Sequence, residues 1–302
     1  MTESTAHFSK VKFENFKAFQ DYVVRLKHMN ILVGPNNAGK STVIAAFKIL
    51  SVALKRARSR KAELLPYSKG TIHSHNVDLS KISVAAENIF HNYNDDDPAR
   101  ITFTISNGNS LELYFPSAGV CHLVARSSSG TVQMPAKFKS EFPVSVGFVP
   151  ILGPVEHEEK YYSEETAQRA LHNFNSARHF RNIWIHFPES FQDFRAKLQE
   201  TWPGMDIAKP DVDHTDPRQV ITMFSTENRI TREIFWSGFG FQVWCQMLTH
   251  LVQSKDSSIF LIDEPDIYLH AELQRQLVSL LKDLGPDILI ATHSTEIISE
   301  AD

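Results

Sequence analysis

The hydrophobic pattern of the first fifty residues predicts three strands followed by a helix. Apolar and polar residues alternate over Lys10–Phe19, which is the period of a half-buried strand, and Asp21–Leu26 is predicted to be its antiparallel neighbour. The next apolar run, Met29–Val33, is short and continuous, as in a strand buried on both faces. Thr42–Leu50 then carries apolar residues at helical spacing. The segment before this helix is therefore a strand-to-helix turn.

That turn, Gly34–Ser41, fits the phosphate-binding pattern G-x-x-x-x-G-K-[ST]. Glycine at Gly34 and Gly39 gives the backbone the freedom to form a compact nest of N–H groups, and the following helix N-terminus favours an anion. In such a loop Lys40 reaches the β- and γ-phosphates, and the hydroxyl of Ser41 contacts Mg²⁺. We therefore predict a nucleotide site. Its predicted binding residues are Gly34, Pro35, Asn36, Asn37, Ala38, Gly39, Lys40, Ser41 and Thr42.

Residues 100–150 have the pattern of an antiparallel sheet. The turn dipeptide Asn107-Gly108 lies between two alternating runs, which predicts a hairpin. We expect this sheet to lie beside the nucleotide-binding core. Its predicted strands are Ile101–Ile105, Leu111–Phe115, Val120–Arg126 and Val144–Val149.

The middle of the chain carries less information. His73 and His75 could form a metal-binding pair, but a surface loop is favoured because no other ligand cluster stands nearby in the sequence. Residues 154–202 are predicted to form two or three helices with a break at Pro188. The Pro- and Asp-rich segment 203–217 is predicted to be a loop or hinge.

The last third of the chain predicts a strand–helix–strand unit. The apolar run Ser258–Asp263 is predicted to be a buried strand, and leucines at helical spacing predict a helix over Ala271–Leu284. Asp287–Ser294 is predicted to be a second short buried strand that ends in polar residues. In a βαβ unit the carboxyl ends of both strands meet at one sheet edge, beside the phosphate loop.

Polar side chains at that edge have the chemistry of nucleotide hydrolysis. Asp263 suits the Mg²⁺ shell together with Ser41, and Glu264 can polarise the attacking water as a general base. His293 can sense the γ-phosphate or hold the water. Together with Lys40, Glu264 and His293 are the predicted catalytic residues.

A second glycine-rich segment, Ser237–Gln242, precedes a predicted helix and forms another candidate anion site through Ser237, Gly238 and Gly240. A single phosphate loop needs only one such cradle. We therefore expect the second one to close over the nucleotide of another subunit.

Two basic clusters leave alternatives open. Residues 55–61 contain five cations in seven positions; a solvated helix end is favoured over contact with a phosphate backbone. Arg178 and Arg181 could form a face for a partner or nucleic acid with nearby aromatic residues, but helix core and dimer packing are favoured. Those aromatic residues are Phe180, Trp184 and Phe187.

Composition and charge indicate the compartment of the protein and the partners to expect. Formal net charge is −4, so any nucleic-acid contact must come from a local patch. The two cysteines, Cys121 and Cys245, stand far apart, which favours a reducing compartment. The sequence has neither an export signal nor an apolar run long enough to cross a membrane. We therefore expect a cytoplasmic protein without a membrane partner.

Taken in order, these motifs resemble those of an ATP-binding-cassette (ABC) class ATPase. More narrowly, they resemble the SMC/RecF-like branch and its OLD (overcoming lysogenization defect) relatives. The signature is S-G-x-G-x-Q and not the L-S-G-G-Q of transporter cassettes, and residues 155–202 replace the long coiled-coil arms of SMC proteins. The resemblance rests on Glu14–Phe19, Gly34–Ser41 (Walker A), Ser237–Gln242 (signature), Ile259–Glu264 (Walker B), Pro265–His270 (D-loop region) and Ala291–Ser294 (switch).

This resemblance implies an α/β fold: an ABC-type P-loop NTPase with a mostly parallel core sheet, an antiparallel β subdomain and a helical insertion. It implies one ATPase domain over residues 1–302, as the N-terminal part of a longer protein. Within it we expect a Walker A lobe over residues 1–152, the helical insertion over 153–205 and a signature, Walker B and switch lobe over 206–302.

The resemblance also implies a function. ATP and Mg²⁺ are the expected cofactors, and the expected assembly is a head-engaged homodimer or a higher oligomer. ATP-dependent dimerisation is expected to control an effector domain or partner protein, DNA-directed or of antiphage defence, with a nuclease as one candidate. DNA remains an open candidate partner. The alternatives are a transporter's nucleotide-binding subunit and a scaffold that binds ATP with little turnover.

Overall fold

The computed structural model describes residues 6–35, 38–68, 70–79, 89–170 and 176–301. Asn36 and Asn37 of the predicted phosphate loop lie outside the described residues. The chain divides into two compact units, each built from separated stretches of sequence. The first unit comprises Met1–Gly147, Asp256–Leu261 and Pro286–Ala291, and the second comprises Phe148–Lys255, Ile262–Gly285 and Thr292–Asp302.

Strands and helices occur in both units. The strands are β1 Phe8–Phe16, β2 Phe19–Arg25, β3 Met29–Leu32, β4 Glu63–Tyr67, β5 Gly70–Asn76, β6 Ala99–Ile105, β7 Ser110–Phe115, β8 His122–Ser127, β9 Gly130–Thr131, β10 Val146–Val149, β11 Met205–Ile207, β12 Asp211–Val212, β13 Ile221–Thr222, β14 Phe224–Glu227, β15 Ile230–Glu233, β16 Ile259–Asp263 and β17 Asp287–Ala291. The α-helices are α1 Lys40–Ser59, α2 Pro135–Glu141, α3 Glu164–Ala170, α4 Phe180–His186, α5 Phe191–Thr201, α6 Phe239–Gln253, α7 Ala271–Lys282 and α8 Thr295–Ala301.

An eight-stranded antiparallel sheet dominates the first unit, in the order β2-β1-β6-β7-β8-β5-β4 with β9 paired to β8. Alternation along β1 buries Val11 and Phe13 on the core face, and Phe13 stands opposite Ile101 of β6. The predicted hairpin is confirmed: β6 and β7 pair around Gly108, whose φ of 86° suits glycine in a tight turn.

Helix α1 supplies much of the apolar core of the first unit. Phe47 lies 5.6 Å from Phe8 and 5.0 Å from Phe103 between ring centroids, in edge-to-face contacts. At the basic end of α1, Arg58 donates a hydrogen bond to Val144 O at 2.6 Å, and partial burial lowers its pKa. The predicted solvated helix end holds for Lys55, which is exposed, and is wrong for Arg58, whose guanidinium group bonds to the backbone of the same unit.

A smaller four-stranded sheet has the order β10-β16-β17-β3. Its strands β17 and β3 pair in parallel, with Leu289 opposite Asn30. Helix α7 connects β16 to the neighbouring β17, as predicted for a βαβ unit. The larger, antiparallel sheet agrees with the expected antiparallel β subdomain, and the parallel pairing of β17 with β3 is what the structure has of the expected mostly parallel core sheet. Strands β1 and β2 pair antiparallel, as predicted, and belong to the larger sheet.

The second unit has a helical core. Helices α3, α4 and α5 confirm the predicted helices, and Pro188 begins a short 3₁₀ turn that separates α4 from α5. Two buried indoles each satisfy their N–H group: Trp184 donates to Thr249 Oγ1 at 3.0 Å, and Trp244 donates to Thr201 Oγ1 at 2.9 Å. These bonds tie α4 and α5 to α6.

Burial decides between the two uses proposed for the aromatic and basic residues of this region. Phe180, Arg181 and Trp184 are all buried, so their use as core residues is confirmed and their use as an exposed face is wrong. Arg178 remains exposed.

Two further expectations need correction. The predicted loop at 203–217 contains β11 and β12, which pair with the downstream strands β14 and β13. His73 and His75 lie on β5 and not on a surface loop, and His75 is only 2% exposed on the core side of the sheet. Among the described residues, no helix is long and apolar enough to cross a membrane.

Candidate nucleotide site

The phosphate loop follows β3 and leads directly into α1 within the first unit. The ammonium group of Lys40 donates to Gly34 O at 2.6 Å and to Pro35 O at 3.2 Å. The loop itself is closed by a bond from Ala38 N to Pro35 O at 3.1 Å. The cation therefore lies over the start of its own loop, where it can contact a phosphate held by the loop N–H groups.

Gly39 is the N-cap of α1 and has a φ of 96°. A Cβ atom at this position would lie 2.4 Å from Cζ of Phe19, so the ring packs directly against the loop backbone. Phe19 also stacks on Tyr22, with ring centroids 4.7 Å apart. Sequence reasoning assigned Phe19 to a strand and missed this contact. Ser41 is exposed, whereas Thr42 is buried.

The two predicted carboxylates of the site lie at the end of β16, in the second unit. Asp263 is the last residue of the strand, and Glu264 has a φ of 48°, which non-glycine residues adopt uncommonly. Tyr268, four positions further on, also has a positive φ of 68°. Such backbone conformations persist where the surrounding structure holds them, and they are concentrated at functional sites.

Neighbouring hydrogen bonds tie the switch segment to the D-loop region. Thr292, which is fully buried, donates to Asp266 Oδ1 at 2.6 Å and accepts from Ser294 N at 2.9 Å. The hydroxyl of Ser294 donates to Gln274, whose amide donates to Leu269 O at 2.7 Å. His293 therefore stands between two residues that are both anchored to the segment after Glu264. These anchors were missed because nothing in the sequence pattern pairs them.

The signature segment is held from within the second unit. Gly238 is the N-cap of α6, and the hydroxyls of Ser237 and Ser225 lie 2.9 Å apart. Gln242 is fully buried and donates to Phe235 O and Ser237 O, both at 2.8 Å, while accepting from Val155 N at 2.9 Å. The glutamine of the motif therefore positions the segment and does not face solvent.

Exposed aromatic rings flank this segment. Trp236, directly before Ser237, is 66% exposed, and Phe239 lies 6.2 Å from Tyr268 between ring centroids. A Cβ atom on Gly240 would lie 3.3 Å from Tyr268 O, so the start of α6 and the D-loop region approach closely. The second unit thus brings its signature segment and its D-loop region together.

The predicted site residues fall into two groups, one in each unit. The phosphate-loop residues belong to the first unit, and the carboxylates, the switch histidine and the signature residues belong to the second. Strand β3, which leads into the loop, lies in one sheet with β17 and β16, after which His293 and Glu264 follow in the chain.

Comparison with known families identifies the family to which the chain belongs. The sequence model described as "AAA ATPase domain" matches residues 7–201, more than half of the chain. The chain belongs to this family of AAA ATPase domains. A second model, described as "AAA domain, putative AbiEii toxin, Type IV TA system", matches residues 150–299. No curated protein matches this AAA ATPase domain significantly.

Solved structures share the fold of this AAA ATPase domain. An SMC head domain from Thermotoga maritima is 14% identical with a TM-score of 0.54, and the alignment covers 98% of this chain and 92% of that one. A Pyrococcus furiosus Smc head domain with an extended coiled coil, solved bound to the C-terminal domain of ScpA, is 11% identical with a TM-score of 0.56 and the same coverage. At these identities the likeness establishes the SMC-head-like fold.

Proposed function

We propose that this AAA ATPase domain binds ATP with Mg²⁺ and hydrolyses it to ADP and phosphate. The observation that carries the proposal is the phosphate loop, in which Lys40 lies over the loop and Gly39 caps α1. The N-terminus of a 20-residue helix behind this loop favours the negative charge of a phosphate.

The remaining roles follow from side-chain chemistry. Ser41 and Asp263 supply oxygen ligands of the kind that Mg²⁺ prefers, the latter through water. Glu264 acts as the general base on the attacking water, and His293 contacts the γ-phosphate or that water. The anchoring of Thr292 and Ser294 supports the last role, because a switch residue needs neighbours that hold the main chain in place.

We further propose that ATP drives association of two copies. The phosphate loop of one copy and Ser237, Gly238 and Gly240 of the other would enclose one nucleotide. The hydrogen bonds that hold the signature segment and the exposed Trp236 beside it support this use, since large exposed aromatic side chains are typical of association surfaces. ATP contacts to both copies would favour the associated state, and hydrolysis would remove that bridge.

The assembly would control an effector of the OLD type, DNA-directed or acting in antiphage defence, with a nuclease among the candidates. Two comparisons support control of a partner. The description of the second matching family names a putative AbiEii toxin of a type IV TA system. One similar SMC head was solved bound to the C-terminal domain of ScpA. The effector is either a further domain or a separate protein.

The test is the mass of the protein in solution with and without Mg²⁺-ATP, measured on the Glu264→Gln variant. Loss of the base should trap the ATP-bound state, so the mass should double when ATP is added. Glu272→Gln is the matched control, because Glu272 is an exposed carboxylate on α7 of the same unit. That variant should hydrolyse ATP at the parental rate.

Two results would contradict the proposal. If Glu264→Gln hydrolyses ATP at the parental rate, Glu264 is not the general base. If the variant binds ATP but its mass in solution does not change when ATP is added, the alternative function is favoured, namely a scaffold that binds ATP with little turnover.

A further inference from the structure

A buried ion cluster lies next to the signature segment of the second unit. Arg181 of α4 is fully buried, and its guanidinium group contacts two carboxylates. It donates to Glu233 Oε1 from Nε at 3.0 Å and from Nη2 at 2.6 Å, and to Glu159 Oε2 from Nη1 at 3.2 Å. A fourth hydrogen bond runs from Nη1 to Glu156 O at 2.9 Å. The cluster therefore joins three separated stretches of chain.

Both carboxylate oxygens of Glu159 accept hydrogen bonds within the cluster. Its Oε1 accepts from Asn182 N at 2.7 Å and from Asn182 Nδ2 at 2.8 Å, and its Oε2 accepts from Arg181 N at 2.9 Å. Burial raises the pKa of Glu159, while these donors and the guanidinium oppose that rise. This carboxylate holds the start of α4, so Arg181 has a defined place.

Glu233 faces the signature segment. Its Oε2 accepts from Phe235 N at 2.7 Å, which caps the 3₁₀ turn Ile234–Trp236, and its Oε1 also accepts from Met223 N at 3.2 Å. That turn ends in a bond from Ser237 N to Ile234 O at 3.0 Å. A single carboxylate thus connects Arg181 to the backbone that presents Ser237.

The chemistry of the cluster explains why arginine stands at this position. Two carboxylates with little access to water need a cation that donates several hydrogen bonds in a fixed plane, and the guanidinium group provides them. A lysine would keep the charge but could not donate to Glu233, Glu159 and Glu156 O in this geometry. Removing one member of a buried ion cluster leaves the others uncompensated, so the position of Glu233 depends on Arg181.

We infer that Arg181 and Glu233 are positioning residues that orient the signature segment for contact with a nucleotide held by a second copy of this chain. The inference rests on the proposed function, in which Ser237 contacts that nucleotide. Neither residue needs to touch ATP. Their effect passes through Phe235 N and the turn to Ser237, and is separate from nucleotide binding at the loop of Lys40.

The test uses Arg181→Lys and Glu233→Gln in the full chain, each alone and combined with Glu264→Gln. Arg195→Lys is the matched control, since Arg195 also pairs with a carboxylate, Asp206, in the same unit but makes no bond to the signature segment. Three quantities are measured: amide hydrogen exchange over residues 234–238, affinity for Mg²⁺-ATP, and ATP-driven association. Thermal unfolding checks that each variant is folded.

Both variants should raise exchange over 234–238 and weaken ATP-driven association about tenfold, the loss expected for one charge-assisted hydrogen bond. Affinity for ATP should stay within about twofold, because the phosphate loop binds it. The control should change none of these. A role confined to stability would lower the unfolding temperature and leave association intact in the folded protein. Should Arg181→Lys not fold, Glu233→Gln carries the test, because it keeps the side-chain volume.

Unchanged exchange over 234–238 in folded Glu233→Gln would overturn the inference. Increased exchange with parental association would also overturn it, since the orientation of the segment would then not matter. Failure of the proposed function has a different result: the Glu264→Gln parent would not associate with ATP. Exchange would in that case still report whether Arg181 and Glu233 hold the segment.

Discussion

Replacement of Gly39 by alanine tests whether the phosphate loop needs glycine for its backbone conformation and for its contact with Phe19. An alanine at a φ of 96° leaves the regions favoured by L-residues, at a cost of about 1–2 kcal/mol. Its Cβ would also lie 2.4 Å from Cζ of Phe19, and relieving such overpacking costs about 1–3 kcal/mol. The expected loss in the free energy of unfolding is therefore roughly 2–5 kcal/mol.

The chain offers a matched control for the backbone part of this loss. Gly108 has a φ of 86°, and a Cβ atom there would meet nothing within 4 Å. Gly108→Ala should therefore cost about 1–2 kcal/mol, from the backbone alone. The difference between the two variants measures the contact with Phe19. Both are measured by urea unfolding at constant m-value, with ATP affinity as a second readout that only Gly39→Ala should lower.

A double variant identifies the clashing ring. Phe19→Ala removes the ring, so Gly39→Ala should cost less in that background than in the parent, and the cycle should show a coupling of about 1–3 kcal/mol. Equal losses for Gly39→Ala and Gly108→Ala, or additive losses in the cycle, would refute the reasoning that Phe19 supports the loop.

Three further predictions concern buried polar groups. Burial lowers the pKa of His75 from 6.5 to about 4, so the unfolded chain binds the proton at a higher pH than the folded chain does. The free energy of unfolding should therefore fall by about 1–3 kcal/mol as the pH drops from 6.5 to 4. His75→Leu should flatten this pH dependence, measured by urea unfolding. Thr292→Val should cost about 1–3 kcal/mol by leaving Asp266 without its donor, whereas Thr292→Ser should retain the bond and the ATPase rate. Trp184→Phe should lower the unfolding free energy by about 1 kcal/mol or more, because Thr249 loses its donor.

Local patterns explain what the sequence predicted well. Strand alternation at β1, the Asn-Gly turn between β6 and β7 and the leucine spacing of α7 each depend on residues close together in the chain. The phosphate loop is local in the same sense, because its pattern, its strand and its helix are contiguous. These features need no knowledge of distant partners, and the structure has the hairpin, the strand before the loop and the helices α1 and α7 where the sequence indicates.

Long-range pairing explains what the sequence missed. β11 forms because residues about twenty positions later supply β14, and Arg181 is buried because Glu159 and Glu233 approach it from separate stretches of chain. The short helix α2 was not predicted, although Phe138 and Phe142 at helical spacing bury its apolar side. Periodicity within a window does not report which sheet a strand joins, so Val144–Val149 was wrongly predicted in the antiparallel sheet, whereas β10 lies beside β16 in the four-stranded sheet.

Burial also changes what a motif match means for the residues inside it. Gln242 and Thr292 stand within the signature and switch motifs, yet both side chains are fully buried and bond to the protein's own groups. A side chain enclosed in this way cannot also contact a ligand without breaking those bonds, at the cost of unsatisfied buried polar groups. Loss of activity on their replacement would therefore reflect displaced backbone at Ser237 and His293. The ligand-facing groups of these motifs are to be sought in the exposed residues and main-chain N–H groups that the buried side chains hold in place.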